Sequence, residues 1–573
     1  TGRWRAARRL LVATAAVATL LAVFYTVEDW RGQRAWQNSR RELEAKGEVL
    51  DWAAYIPAPV PDAQNFYKAP RMQEWFVKEH FAIGGPQPPN APFVPALGRG
   101  TNLVLAEVQV VPANAPLDSE RADAVLRFAD PLARDQAARL LGQTLGPCAL
   151  GARMCVLVAR PLEQIKPVEL VLQADTLPSL KELTAFFPRN PLTSSALAYS
   201  DSSYLRVDAA GTNSFRVLLK GPVYGAAEYL AATEPQTPNF DLVRQALKRP
   251  YARIDCDYQQ PFGIAIPNFI QIRNASQTLS ERAQSHLLLG QPEAAWHELA
   301  LVHNLCQILL AKPSGKPLTL VGAMIHVAVT GLEASIVEDG LRLHAWGDPQ
   351  LLALERQLQE TDLLAPLVQA LREERAATSR TFEITPRREL AKLLSSGSSG
   401  NAAFTLALTC LPRGWFYQNM ALGAKVEQDL LGSIEPTNQL VRPHQADNDY
   451  RGLGARLQRR SPYTFLVASA IPNFLRAAQT AARTQTLVSQ ARLACALERY
   501  RLAQGHYPET LNALAPQFID KLPHDLIGGQ PLKYRRNPGG GYLLYSVGWN
   551  EKDDDGVPGK SREEGDWVWE LAS

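Results

Sequence analysis

Residues 10–27 (LLVATAAVATLLAVFYTV) limit what this chain can become before any other feature does, because they carry no charge on any side. At the helical rise of 1.5 Å per residue this run is roughly 27 Å long, enough to cross the hydrocarbon core of a bilayer. Trp4 and Trp30 flank it, as suits two headgroup belts, and Glu28-Asp29 close it. Arg3, Arg5, Arg8 and Arg9 precede it, which favours that side staying cytoplasmic. Arg31, Arg34, Arg40 and Arg41 lie just beyond and weaken the asymmetry. The run ends in bulky Phe24 and Tyr25 with no small-x-small cleavage site, so a retained anchor is expected over a removed signal peptide.

The remainder reads as globular. Of 573 residues, 46% are hydrophobic and 20% charged, so several cores are affordable in length and no long disordered tract is implied. Sixty Lys+Arg against 57 Asp+Glu is too near balance for a nucleic-acid footprint. No C-x-x-C occurs among the six cysteines. Cys148 and Cys155 lie seven apart and fit a disulfide or two buried thiols equally well.

From Trp30 to Trp52, Trp36, Leu43 and Leu50 recur every seven residues and Glu42 and Lys46 make an i,i+4 pair, so a solvated helical stalk is expected, with packing against a partner helix as the alternative. Residues 57–95 are rich in proline, which fixes φ and removes backbone donors, and read as an extended strap. Its aromatics Phe66, Tyr67, Trp75 and Phe76 call for burial against another surface. Residues 96–270 mix strands (TNLVLAEVQVV, and SSYLRVDAAGTNSFRVLLK around a glycine turn) with short helices. Residues 271–462 carry helical hairpins punctuated by glycine after one helix and proline opening the next, as at Gly290 and Pro292. SSGSSGN (395–401) reads as a flexible break.

Motifs that would name a reaction are missing. HELALVH places His297 and His303 six residues apart, about 120° around a helix, so one straight helix cannot offer both to a metal as H-E-x-x-H does. His286, His326 and His344 fall on neighbouring helices without a ligand pattern. No Walker A loop and no G-x-S-x-G is present. The loop NEKDDDG gives E-x-D-x-D-G, with Asp553, Asp555 and Gly556 at calcium-loop spacing, but Arg562 stands where an EF-hand needs its closing glutamate. Clustered carboxylates on a glycine-bearing loop suit a hard cation; a solvated turn is the plain alternative.

The final segment, 463–573, resembles the major pseudopilin of type II secretion systems. The residues that carry the resemblance are a long helix (FLVASAIPNFLRAAQTAARTQTLVSQARLACALERYRLAQ), the turn GHYPETL, and two strand-like stretches, KLPHDLIGGQPLKYR and GYLLYSVGWN. The resemblance implies a helix packed on a small antiparallel sheet and calcium bound in the following loop, held by Asn550, Asp553, Asp555 and Asp566. Three departures oppose assembly as a pilin. A prepilin peptidase signal is absent, the apolar part of the helix is too short to span, and Asp525-Leu526-Ile527-Gly528 replaces the usual Asp-Pro-Trp-Gly. LEAKGEVLDW and PVPDAQNF further resemble large uncharacterised bacterial envelope proteins with such a tail.

The expected architecture is therefore α+β and mainly helical: an anchor (1–30), a stalk and strap (31–95), a mixed α+β domain (96–270), a helical-hairpin domain (271–462) and a pseudopilin-like domain (463–573). The expected protein is a single-pass bacterial inner-membrane protein, N-terminus cytoplasmic and bulk periplasmic. It is expected to be a non-catalytic scaffold that contacts envelope proteins and the bilayer. The alternative is an enzyme or binding protein with a dispersed site in 96–430.

Overall fold

The computed structural model describes residues 2–77, 104–109, 124–127, 147–150, 153–161, 169–174, 205–211, 214–219, 226–261, 269–310, 319–395, 402–448, 461–537, 539–559 and 563–571. It is mainly helical, with a small antiparallel sheet near the C-terminus and an N-terminal apolar helix. That first helix, α1 (Gly2–Ala45), runs unbroken from the arginine cluster through the apolar run and out the other side.

The stalk expectation fails here. Beyond Glu28, α1 packs along α12 (Arg413–Gly432), and Trp36, Leu43 and Leu50 are buried with Phe382, Phe416 and Met420. The seven-residue stripe is a core face covered by its own chain, each large side chain adding about 2 kcal/mol by leaving water. Trp36 also donates from Nε1 to Glu383 Oε1 at 3.1 Å.

The described part of the strap, up to Val77, holds two short 3-10 turns and α2 (Met72–Val77). Phe66, Tyr67, Trp75 and Phe76 are all buried, as their chemistry requires. The backbone of Phe66 donates to Tyr251 O, and the Asn65 side chain bonds Arg253 O and N. Residues 78–95 lie outside the described residues.

Strands β1 (Val104–Gln109), β2 (Ala124–Arg127), β3 (Pro147–Leu150), β4 (Arg153–Pro161), β5 (Glu169–Ala174), β6 (Leu205–Gly211) and β7 (Ser214–Leu219) form an antiparallel sheet ordered β3-β4-β5-β2-β1-β7-β6. The β3–β4 register sets Cys148 directly opposite Cys155. Facing Cα atoms in an antiparallel pair stand about 4.5–5.5 Å apart, inside the range a disulfide spans. The chain purified without reductant is expected to carry two fewer alkylatable thiols than after reduction. Equal counts by mass would show both thiols free.

The helical body follows: α3 (Ala226–Thr233), α4 (Thr237–Ala246), α5 (Phe269–Leu288), α6 (Pro292–Leu310), α7 (Leu320–Arg342), α8 (Asp348–Glu360), α9 (Leu364–Ile384), α10 (Arg387–Ser395), α11 (Ala402–Thr409), α12 and α13 (Phe465–Gln504). Gly290 takes φ +70° between α5 and α6, and Pro292 opens α6, the punctuation read from the sequence. Thr319 caps α7 by accepting from Gly322 N at 3.1 Å. Like α1, α7 is long and apolar enough to cross a membrane, but it packs on α5, α6, α9 and α13, with Val329, Ile336 and Val337 fully enclosed. Its apolarity is that of a core helix.

The C-terminal segment has the expected helix-on-sheet form. After the two-stranded pair β8 (Ile434–Glu435) and β9 (Leu440–Val441), helix α13 ends at Gly505, φ +79°, and packs on the antiparallel sheet β10-β11-β12, where β10 is Lys533–Arg536, β11 Tyr542–Ser546 and β12 Trp567–Leu571. It also packs along α7 and α8, so one continuous core runs from Trp75 through Leu279, Val302, Trp346 and Leu354 to Cys495, Tyr542 and Trp569. The boundary at 462/463 separates elements and not cores.

Candidate functional site

The acidic loop follows β11. The four residues expected to hold calcium share the stretch before β12, but the described side chains do not converge. Asp566 is buried and accepts backbone N–H from Asp554 (3.3 Å) and Gly556 (2.7 Å). Burial raises its pKa against those two donors. Asp553 pairs with Lys533 Nζ at 3.2 Å and accepts from Tyr545 OH and Asp555 N. The Asp555 carboxylate pairs with Arg535, and Asn550 donates to Asp554 Oδ2 at 2.8 Å. The donors have the oxygen chemistry of a calcium site, yet Lys533 and Arg535 already neutralise two of them. Among the described residues no group of three or more His, Cys, Asp or Glu stands ready for a metal.

The histidines each meet a separate partner. His303 Nδ1 lies 3.2 Å from Glu333 Oε1, and His286 Nδ1 lies 2.8 Å from Gln291 Oε1. His344, at the end of α7, meets Glu498 of α13 at 2.8 Å. Glu498 also accepts from Arg501 Nη2 (2.7 Å) and from Tyr507 OH (2.6 Å) in the GHYPETL turn. Burial alone would raise this carboxyl, but the three donors outweigh it and hold it at about 2. Its stabilising effect is thus present above the usual 4.5 and lost as pH falls from there toward 2. Glu498→Gln should lower stability by about 3 kcal/mol at neutral pH, with the gap closing toward pH 2. A thermal-melt series over pH checks this, and a gap that does not change with pH would contradict it.

Two clusters escaped the sequence reading. The first joins anchor to body. Glu28 and Asp29, read above only as the end of the apolar run, are specific contacts. Glu28 Oε2 accepts from Trp415 Nε1 (2.9 Å) and Tyr463 OH (3.0 Å), and Oε1 from Arg31 (2.8 Å). Asp29 accepts from the backbone N–H of Gly414 at 2.8 Å and pairs with Arg387 at 3.2 Å. These bonds are possible because α1 and α12 cross on glycine. A Cβ on Gly32 would stand 2.0 Å from Gly414 O, and one on Gly414 would stand 1.9 Å from Glu28 O.

No family model, curated protein or solved structure matches this chain.

The second cluster is a set of buried charges between the end of α1, α9 and α12. Arg372 grips Glu48 with two bonds of 3.0 Å, and Arg375 bonds the same carboxylate and, at 2.9 Å, Gln428. Beside them Glu427 is buried and its Oε1 has no hydrogen-bond partner. Burial pushes its carboxyl up to about 8, against the attraction of Arg375 and helped by the charges of Glu374 and Glu48. At neutral pH Glu427 is accordingly a protonated acid that holds an available proton. In sequence it sits in KVEQDLL and looks like an ordinary exposed glutamate.

Proposed function

We propose that the chain is a single-pass membrane protein whose body is a non-catalytic scaffold held in a fixed pose at the membrane, as a subunit of an envelope complex. The observation that carries this reading is the anchor's continuity. Helix α1 does not end at the apolar run but enters the body and buries Trp36 and Leu43 against α12. A flexible tether would leave the body free to turn; this arrangement hands the orientation of the anchor to every surface beyond it. The arginines before the run support an N-terminus in the cytoplasm and a bulk that is periplasmic. The helix-on-sheet tail supports the pseudopilin likeness in fold. Protease added to right-side-out spheroplasts tests the topology: the body should be digested. A body protected until the membrane is broken would reverse the orientation.

Calcium in the 550–566 loop is a proposal that stands apart from both function readings. Because the tail shares its core with the body, the full chain is the proper sample. Millimolar calcium should raise its melting temperature over a chelated control, since an ion bound only by the folded state adds stability. An unchanged melt would leave the aspartates as a turn fastened by Lys533 and Arg535.

One observation favours a second reading, an enzyme with a dispersed site. Glu427 lies within the region 96–430, its charged neighbours there are Arg375 and Glu374, and a buried acid with a raised pKa is a general-acid candidate. Glu427→Gln, argued below, separates the two.

A further inference from the structure

Helices α10 and α11 pack against each other as a hairpin, and Leu390 of α10 is buried with Trp36, Phe382 and Phe416. Its depth is fixed by contacts with α1. The phenol of Tyr25 donates to the backbone carbonyl of Cys410, one residue past α11. The ring of Phe24 meets Trp415 edge-on at 6.3 Å between centroids, and the Arg387 guanidinium lies 5.9 Å from the centre of the Tyr25 ring. Phe24 and Tyr25 belong to the apolar run 10–27. Any bilayer that covers that run therefore reaches Cys410 and the end of α11.

The composition of the hairpin follows the same division. Residues 402–411 (AAFTLALTCL) carry no charge, whereas α10 carries Arg387, Arg388 and Lys392 against one acid, Glu389, with Arg387 paired to Asp29. Leu408 is buried, but Leu406 is 65% exposed and Ala407 and Cys410 are exposed as well. An uncharged helix with an open leucine is costly in water and at home in acyl chains. Its eight residues reach about 12 Å, too short to span and about right for one leaflet's boundary.

We propose that α10 and α11 form a second membrane-embedded element: α11 lies among the acyl chains of the body-side leaflet, and the basic residues of α10 lie at its phosphates. This rests on α1 being the membrane span. The occupant of the exposed face is lipid, because the level of that face is set by the anchor itself. The hairpin and α1 would then hold the body at two points, so that it cannot rotate about the anchor.

The test uses the full-length chain in phosphatidylcholine–phosphatidylglycerol vesicles doped with a phospholipid bearing a diazirine on its acyl chain. After irradiation, adducts are mapped by mass spectrometry. Adducts are expected in both 10–27 and 402–411. Replacing Leu406 and Ala407 together by glutamate should cut the yield at 402–411 about tenfold and leave that at 10–27 intact. Adducts at 10–27 alone, unaffected by the substitutions, would overturn the proposal and spare the anchor. Adducts at neither would overturn the anchor reading and the proposal with it. Adducts at 402–411 alone would confirm lipid at α11 but overturn α1 as the span that carries it there.

Discussion

Gly414→Leu should loosen the protein at the junction of α1 and α12 by about 3 kcal/mol or more. Even the first side-chain carbon would stand 1.9 Å from Glu28 O and 2.8 Å from Asp29 Cα, and both neighbours are backbone that no rotamer change can move. The helices must part, which breaks the Gly414–Asp29 bond and pulls Trp415 and Tyr463 from Glu28. Overpacking in rigid surroundings commonly costs 1–3 kcal/mol, and the three lost polar contacts add to it. Gly423→Ala is the control on the same helix, because its Cβ would meet only a Val467 methyl at an ordinary 3.6 Å. Hydrogen exchange gives the readout: amides of residues 33–45 should lose protection in the leucine variant and keep it in the control. Equal protection in both would mean that α1 is not built into the body.

Glu427→Gln should act in the opposite direction and depend on pH. The folded-state pKa of about 8 lies above the ordinary 4.5, so below 4.5 the carboxyl is protonated whether folded or not and contributes no difference. Between 4.5 and 8 the unfolded chain releases a proton that the folded chain retains, and stability falls by about 1.4 kcal/mol per pH unit. Above 8 the loss is complete. Glutamine has the same shape and cannot ionise, so the variant should melt with the parent near pH 4.5 and well above it at pH 8, by at most about 5 kcal/mol. The value of about 8 already includes the opposing attraction of Arg375 and the repulsion of Glu374 and Glu48. A constant offset across pH would show that Glu427 ionises normally. A stabilised variant would mark the native carboxyl as costly, and groups kept at a cost to stability are commonly functional.

Much of the fold was legible because it rests on local signals. The apolar run, the turn at Gly290–Pro292 and the burial of Phe66 and Trp75 each follow from a few adjacent residues. The end of the tail's helix was readable from the stop at Gly505, whereas its strands were readable only through the pseudopilin resemblance. What could not be read depends on partners far along the chain. The stripe Trp36, Leu43 and Leu50 was visible as a stripe, but its cover lies near Phe382 and Phe416, more than 300 residues on. Gly32 and Gly414 look like unremarkable helix glycines until α1 and α12 are brought together. Glu427 shows the same limit for chemistry, since a glutamate on a polar-looking helix turn gives no sign that its face is closed off. In the acidic loop the spacing shows the oxygen donors but not their partners from β10, Lys533 on Asp553 and Arg535 on Asp555.

The scaffold reading is tested most directly by the composition of the native particle. The full-length protein, taken from its own membrane into lipid nanodiscs without passing through strong detergent, should be weighed by native mass spectrometry. The expected result is a particle larger than one chain, with another protein or further copies present in fixed whole-number stoichiometry. A particle holding a single copy and nothing else would contradict it, and the buried acid at Glu427 would then be the place to look for a reaction.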